Sequence, residues 1–166
     1  MKYGVSLILA VLIIAGCSPE NTEEIAIFNE ISFALHEGES IADFGDREKD
    51  QFHSYFSNTD IQVPLFKYIT ADDYSVYMGL PFNTSVRDIS GFRLLNTPQN
   101  QSAVRTDSAS YFYINHRSET NYISEFVIDI DENMIYIIAE TDSPQLSDSL
   151  FNYTALSKRL NQEIND

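Results

Sequence analysis

One cysteine in 166 residues leaves no means of building an internal disulfide framework or a thiolate zinc cluster, since both need several thiols in one chain. Glycine is scarce as well. The six glycines form no phosphate-cradling loop, so nucleotide binding lacks its usual backbone device. Lysine and arginine together number 10 against 25 aspartates and glutamates, a formal charge of −15. Coulomb repulsion opposes nucleic acid and anionic lipid headgroups over most of such a surface, and no nucleic-acid partner is expected. His36, His53 and His116 stand apart without an H-E-x-x-H or H-x-H pattern, and there is no G-x-S-x-G elbow. These absences leave no metal ligand set, no cofactor motif, no assigned catalytic residue and no identifiable small-molecule substrate. No segment repeats at a period of roughly 20–50 residues, which excludes solenoids and propellers.

The chain is nonetheless rich in core-forming residues. Hydrophobic residues make up 43%, with 11 Phe and 10 Tyr, too many for a disordered polymer despite the charge. Near the start, Lys2 precedes the apolar run Val5 to Ile14, shorter than the ~20 residues a membrane-spanning helix needs. It has the form of a secretory signal, and Ile14-Ala15-Gly16-Cys17 resembles the bacterial lipobox, whose cysteine receives a diacylglycerol. The expectation is a signal peptide over residues 1–16, lipidation of Cys17 and a short acidic tether over 17–24. A single domain would follow over 25–166. Loss of Lys2 with the signal makes the mature chain more acidic than its precursor. Ser18 follows the cysteine where Asp would resemble an inner-membrane retention signal, so anchorage at the outer membrane facing the periplasm is expected.

Hydrophobic spacing then sets the expected elements. Asn21 and Glu24 imitate a capping box, and Ile25, Phe28, Ile31 and Leu35 recur at helical intervals, predicting a helix over 22–37 that stops at Gly38. A second helix is predicted over Asp46 to Phe56. From Ile61 to Ile69 the period changes to two, with Pro64 pointing to an edge strand. Further strands are expected over Tyr74 to Leu80, Arg87 to Leu95 and Tyr111 to Asn115, with a long loop from Asn96 to Ser110. Ile123 to Ile130 and Met134 to Ala139 predict a hairpin turning at Asp131-Glu132-Asn133. Ser143-Pro144 opens a predicted helix over 144–164. The fold class is therefore α+β, a mostly antiparallel sheet with N-terminal helices and a C-terminal helix packed on it.

Asp129-x-Asp131-x-Asn133 with Glu140 reproduces several ligand positions of a calcium loop. However, Met134 occupies the position that needs glycine, and strand formers flank the segment. A polar hairpin turn accounts for the same residues. Tyr68, Tyr74, Tyr77, Tyr111, Tyr113, Tyr122 and Tyr136 suit either an interface or a core that lacks tryptophan.

Four pieces in order resemble the SUKH superfamily of immunity proteins over roughly residues 61–164. They are Tyr77-Met78-Gly79-Leu80-Pro81; the aromatic strand at Tyr111 to Ile114; Val127-Ile128-Asp129 turning to Met134-Ile135-Tyr136; and Ser149-Leu150-x-x-Tyr153. Tyr153 stands where Phe is common, and two departures stand out: Glu132-Asn133 replaces a glycine-bearing turn, and a lipobox is atypical for members that neutralise cytoplasmic toxins. The resemblance implies an α+β domain that binds and inactivates a toxin. Strong negative charge leads to a similar expectation, because its field speeds encounter with a basic protein. The expected partner contacts are Asp72, Asp73, Tyr77, Asp129, Asp131 and Glu132. The leading reading is a lipid-anchored, non-catalytic binder that neutralises a basic protein. An envelope scaffold or assembly lipoprotein, and a periplasmic hydrolase, are the alternatives.

Overall fold

A computed structural model describes residues 23–28, 31–57, 59–97, 110–130 and 132–160, and the backbone alone of 104–107. The elements are β1 (Glu24–Phe28), β2 (Ile31–Ala34), β3 (Ser40–Ile41), α1 (Asp46–Ser54), β4 (Leu65–Thr70), β5 (Tyr74–Gly79), α2 (Val86–Asn96), β6 (Val104–Asp107), β7 (Tyr111–Arg117), β8 (Tyr122–Ile130), β9 (Asn133–Thr141), α3 (Pro144–Leu150) and α4 (Tyr153–Arg159). Strands β3 to β9 form one seven-stranded sheet in the order β3-β4-β5-β9-β8-β7-β6. Every neighbouring pair in it is antiparallel. The fold is α+β.

Period-two alternation sorts the sheet's side chains into two cores. Val76, Met78, Phe126, Ile128, Ile135 and Ile137 face one layer, built from the β1–β2 hairpin with α3 and α4. Tyr77, Val127, Tyr136 and Ile138 face the other, where Phe52 descends from α1, Phe56 from the turn after it, and Val86 and Ile89 from α2. Strands β8 and β9 are thus covered on both faces and carry near-continuous apolar runs.

Predicted and observed elements coincide for α1, for the strands at β5 and β7, and for the β8–β9 hairpin. Elsewhere the structure corrects the reading. Within the predicted helix 22–37, Glu24–Phe28 and Ile31–Ala34 are instead the antiparallel pair β1 and β2, with Ile25 opposite Phe33, while residues 22, 29 and 30 lie outside the described ones. The buried residues there are Ile25, Ile27, Ile31, Phe33 and Leu35, a period of two set by branched and aromatic side chains that outweighs the looser helical spacing. Residues 87–95, expected as a strand, lie in α2. Ser85 Oγ accepts the Asp88 amide and the Asp88 carboxylate returns to the Ser85 amide, a capping box that fixes the helix start. The expected loop from Asn96 to Ser110 contains β6, paired with β7.

The predicted helix 144–164 is two helices broken at Phe151-Asn152, and residues 161–164 lie outside the described ones. Asn152 caps α4 through Ala155 N (3.0 Å) while its amide donates to Asp148 O (2.7 Å), and the break drives Phe151 into the core against Tyr74. Pro64 precedes β4, and β3 pairs only with Ile69 and Thr70, so β4 is an edge over its first residues.

The β8–β9 turn places Glu132 at φ +64°, a left-handed conformation costly for any residue with a Cβ. Glu132→Gly is expected to stabilise the protein by about 1 kcal/mol, raising Tm by a few degrees in thermal melts.

Candidate functional site

The antiparallel sheet separates the residues expected to contact a partner. Asp72 and Asp73 are exposed in the β4–β5 turn, whereas Asp129 and Glu132 are exposed beside the β8–β9 turn. Tyr74 pairs with Thr141 at one end of β9 and Asn133 with Ile130 at the other. Nine strand residues set these two ends about 27 Å apart. The five described candidates therefore do not converge on one site. Asp131 and Cys17 lie outside the described residues. Tyr77 is corrected from contact to core: it is buried, with its ring stacked on Phe52 and tilted against Tyr68. Tyr111, Tyr113 and Tyr136 are buried too, while Tyr68, Tyr74 and Tyr122 are half-buried.

The same topology takes the calcium pattern apart. Glu140 sits opposite Ser75 and Ile123, far from the turn that holds Asn133. Among the described residues no group of three or more His, Cys, Asp or Glu side chains is placed to hold a metal.

Two collections of polar residues emerge that spacing alone does not show. The first is the acidic end of the sheet. Asp72 and Asp73 from the β4–β5 turn, Glu119 from the β7–β8 turn and Asp142 beyond β9 are all exposed there, with Arg117 nearby under the Tyr122 ring. Thr141 Oγ1 donates to Asp73 O (3.0 Å) and accepts from the Ser143 amide (3.1 Å), which ties two of these connections together.

The second is a polar cleft of about 440 Å3 between the C-terminal ends of α1 and α2 and the β7–β8 turn. Glu125, fully buried on the interior strand β8, lies beneath the Arg93 and His116 that line it, and accepts from the Arg93 guanidinium, from the Tyr136 hydroxyl and from His116 Nε2 at 2.7 Å. Burial alone would raise the Glu125 pKa. Arg93, His116 and Tyr136 outweigh that effect and hold the carboxyl below the ordinary carboxylate range. Burial likewise works against the Arg93 charge, but the facing Glu125 keeps its pKa raised. Desolvation, joined by the neighbouring carboxylate, pushes the Tyr136 phenol well up.

Arg93 Nη1 also donates to the Tyr55 carbonyl (3.1 Å), linking α2 to the end of α1. Higher on the wall, Glu140 Oε1 accepts from the Tyr55 hydroxyl and from Gln51 Nε2 (2.9 Å). Burial, then the charge of Glu140, pushes the Tyr55 hydroxyl far above its usual range.

Chemically, this is an oriented histidine without a nucleophile in contact. Glu125 is the only side-chain hydrogen-bond partner of His116 among the described residues, so the nucleophile–base contact of a Ser–His pair is not formed there. The cluster escaped the sequence reading because His116 and Glu125 meet only through the β7–β8 register, which sets His116 opposite Ile123. One signal was available: a glutamate in the middle of the apolar run Ile123 to Ile130.

A second buried pair closes the other layer. The Arg159 guanidinium meets Glu39 at 2.5 Å and donates to the Ala34 carbonyl, while lying 4.1 Å over the Phe33 ring. Desolvation holds the Arg159 pKa below its usual value.

Among the described residues no helix is long and apolar enough to cross a membrane. No family model and no curated protein matches this sequence significantly.

Proposed function

We propose that this chain is a lipid-anchored envelope protein whose domain binds and neutralises a basic protein, a toxin or a peptidoglycan hydrolase, without catalysis of its own. The observation that carries this reading is the acidic end of the sheet, where three separate connections present four exposed carboxylates on one rigid edge. Such a concentration of one sign steers a cationic partner and disfavours acidic competitors. The resemblance to SUKH immunity proteins supports it as well. Gly79-Leu80-Pro81 ends β5, the Asp129 piece runs along β8, and Tyr153 opens α4 with its ring stacked 4.9 Å from Tyr111. Anchorage through Cys17 is tested by palmitate labelling with a Cys17→Ala control.

The binding test uses association rates with the protein encoded beside this chain, or with a basic peptidoglycan hydrolase. Between about 0.05 and 0.5 M salt the on-rate should fall steeply. Asp72→Lys with Asp73→Lys should slow association about tenfold at low salt and leave dissociation nearly unchanged. Salt-independent association would count against the reading. The hydrolase alternative draws on the His116–Glu125 pair at the cleft floor. It requires a turnover that disappears in His116→Gln while binding persists.

A further inference from the structure

We infer that the cleft beside Glu140 receives a single cationic side chain, arginine or lysine, from the basic partner; this rests on the binding reading above and assigns the contact at its centre.

Charge accounting inside the domain points to this occupant. Among the described residues four glutamates stand back from full exposure: Glu39, Glu48, Glu125 and Glu140, of which Glu48 is engaged at the start of α1, where it accepts from the Gly45 amide (2.9 Å). Glu39 has Arg159, and Glu125 has Arg93 with His116. Glu140 is bonded by the neutral donors Gln51 and Tyr55, and no Lys, Arg or His forms an ion pair with it among the described residues. Arg93 lines the same cleft, yet its charge is already matched by Glu125 beneath it.

Both helices that wall the cleft end there. Gln51, Ser54 and Tyr55 come from the last turn of α1, and Phe92, Arg93 and Asn96 from that of α2. The carbonyl ends of two helix dipoles therefore add partial negative charge where Glu140 already stands. The volume is ample for a long cationic side chain, and Phe92, whose ring already has the Arg93 guanidinium 5.9 Å from its centre, lines the same wall for the aliphatic stem. Position completes the case: Glu140 lies two residues before Asp142, and the β7–β8 turn bearing Glu119 forms the opposite lip. A partner steered to the acidic end is thus delivered to the mouth of the cleft.

The probes are N-acetyl-arginine methylamide, its lysine counterpart and the uncharged norleucine analogue, followed by amide shift changes in NMR titrations. Saturable shifts at Phe92, Thr120, Asn121 and Glu140 are expected with one or both cationic probes and none with norleucine. Comparison of the two cations identifies the preferred head group. Glu140→Gln keeps acceptors for Gln51 and Tyr55, so it should fold while weakening the cation's affinity at least about tenfold. Asp72→Asn with Asp73→Asn should leave cleft shifts in place. The inference is overturned if shifts fall only on the Asp72, Asp73 and Asp142 turns, or if Glu140→Gln titrates like the parent. It is also overturned if the intact basic partner binds Glu140→Gln with unchanged affinity, although salt-dependent association would then still uphold the broader reading. Cleft shifts with the probes but no association with any basic protein would instead remove the broader reading and, with it, the partner assigned to the cleft, leaving only a site for a free cationic group.

Discussion

Glu125→Ala is expected to remove about 3–5 kcal/mol of stability, lowering Tm by about 10–20 °C in thermal or denaturant unfolding. The glutamate is fully buried between two strands, and its loss strands the Arg93 guanidinium, which is itself almost wholly inside. The damage is less the lost attraction than the charge left unpaired in a poorly solvating interior. That distinction is measurable. Arg93→Leu combined with Glu125→Leu should destabilise less than Glu125→Leu alone, because the double variant buries no orphan charge. A double variant at least as unstable as the single one would show that packing dominates over charge.

Acid provides a second readout. The folded-state pKa of Glu125 is depressed relative to an unfolded glutamate near about 4.3, so the unfolded chain binds more protons in that range. Its stabilisation is fully present above that value and fades as pH falls through the lower folded one. Unfolding free energy should therefore drop more steeply with acid in the parent than in Glu125→Ala.

Gly79→Ala should cost about 3 kcal/mol, and Gly79→Val more, through overpacking rather than loss of a contact. A Cβ at Gly79 would lie 2.5 Å from Phe52 Cζ and 2.5 Å from Val63 Cγ1. Phe52 is fully buried and Val63 nearly so, which leaves neither a route of retreat. The glycine is what allows α1 and the segment before β4 to seat against the end of β5. Val63→Ala in the Gly79→Ala background should restore part of the stability, since it removes one of the two clashing atoms. Additive losses in the double variant would mean that the helix shifts as a body instead.

Legibility in the sequence followed the strength of the local period. The β8–β9 hairpin was readable because Ile123 to Ile130 and Met134 to Ala139 are long apolar runs around a polar turn. At the N-terminus, Ile25, Ile31 and Leu35 fit both periods, and only the companions Ile27 and Phe33 decide between them. Residues 86–96 carry a strand-like composition, and Ser85 with Asp88 was the one cue to a helix. The site was less legible than the fold. Asp72 and Asp73 were visible as paired acids, but Glu119 and Asp142 join them only when the sheet is assembled. His116, Glu125 and Arg93 come from three elements, so no spacing rule connects them.

The short β3 has a consequence for self-association. It pairs with Ile69 and Thr70, and the Ala42 amide just beyond it donates to the Tyr68 carbonyl (3.0 Å), leaving the outer side of Leu65 to Lys67 without a strand partner among the described residues. An open row of amides and carbonyls is a template for stacking one molecule on the next. Here Pro64 supplies no amide hydrogen at the strand's mouth, Lys67 adds a charge, and a bulge between Leu65 and Lys67 bends the row out of line. Molecules crowded side by side would meet at a border that refuses to grow.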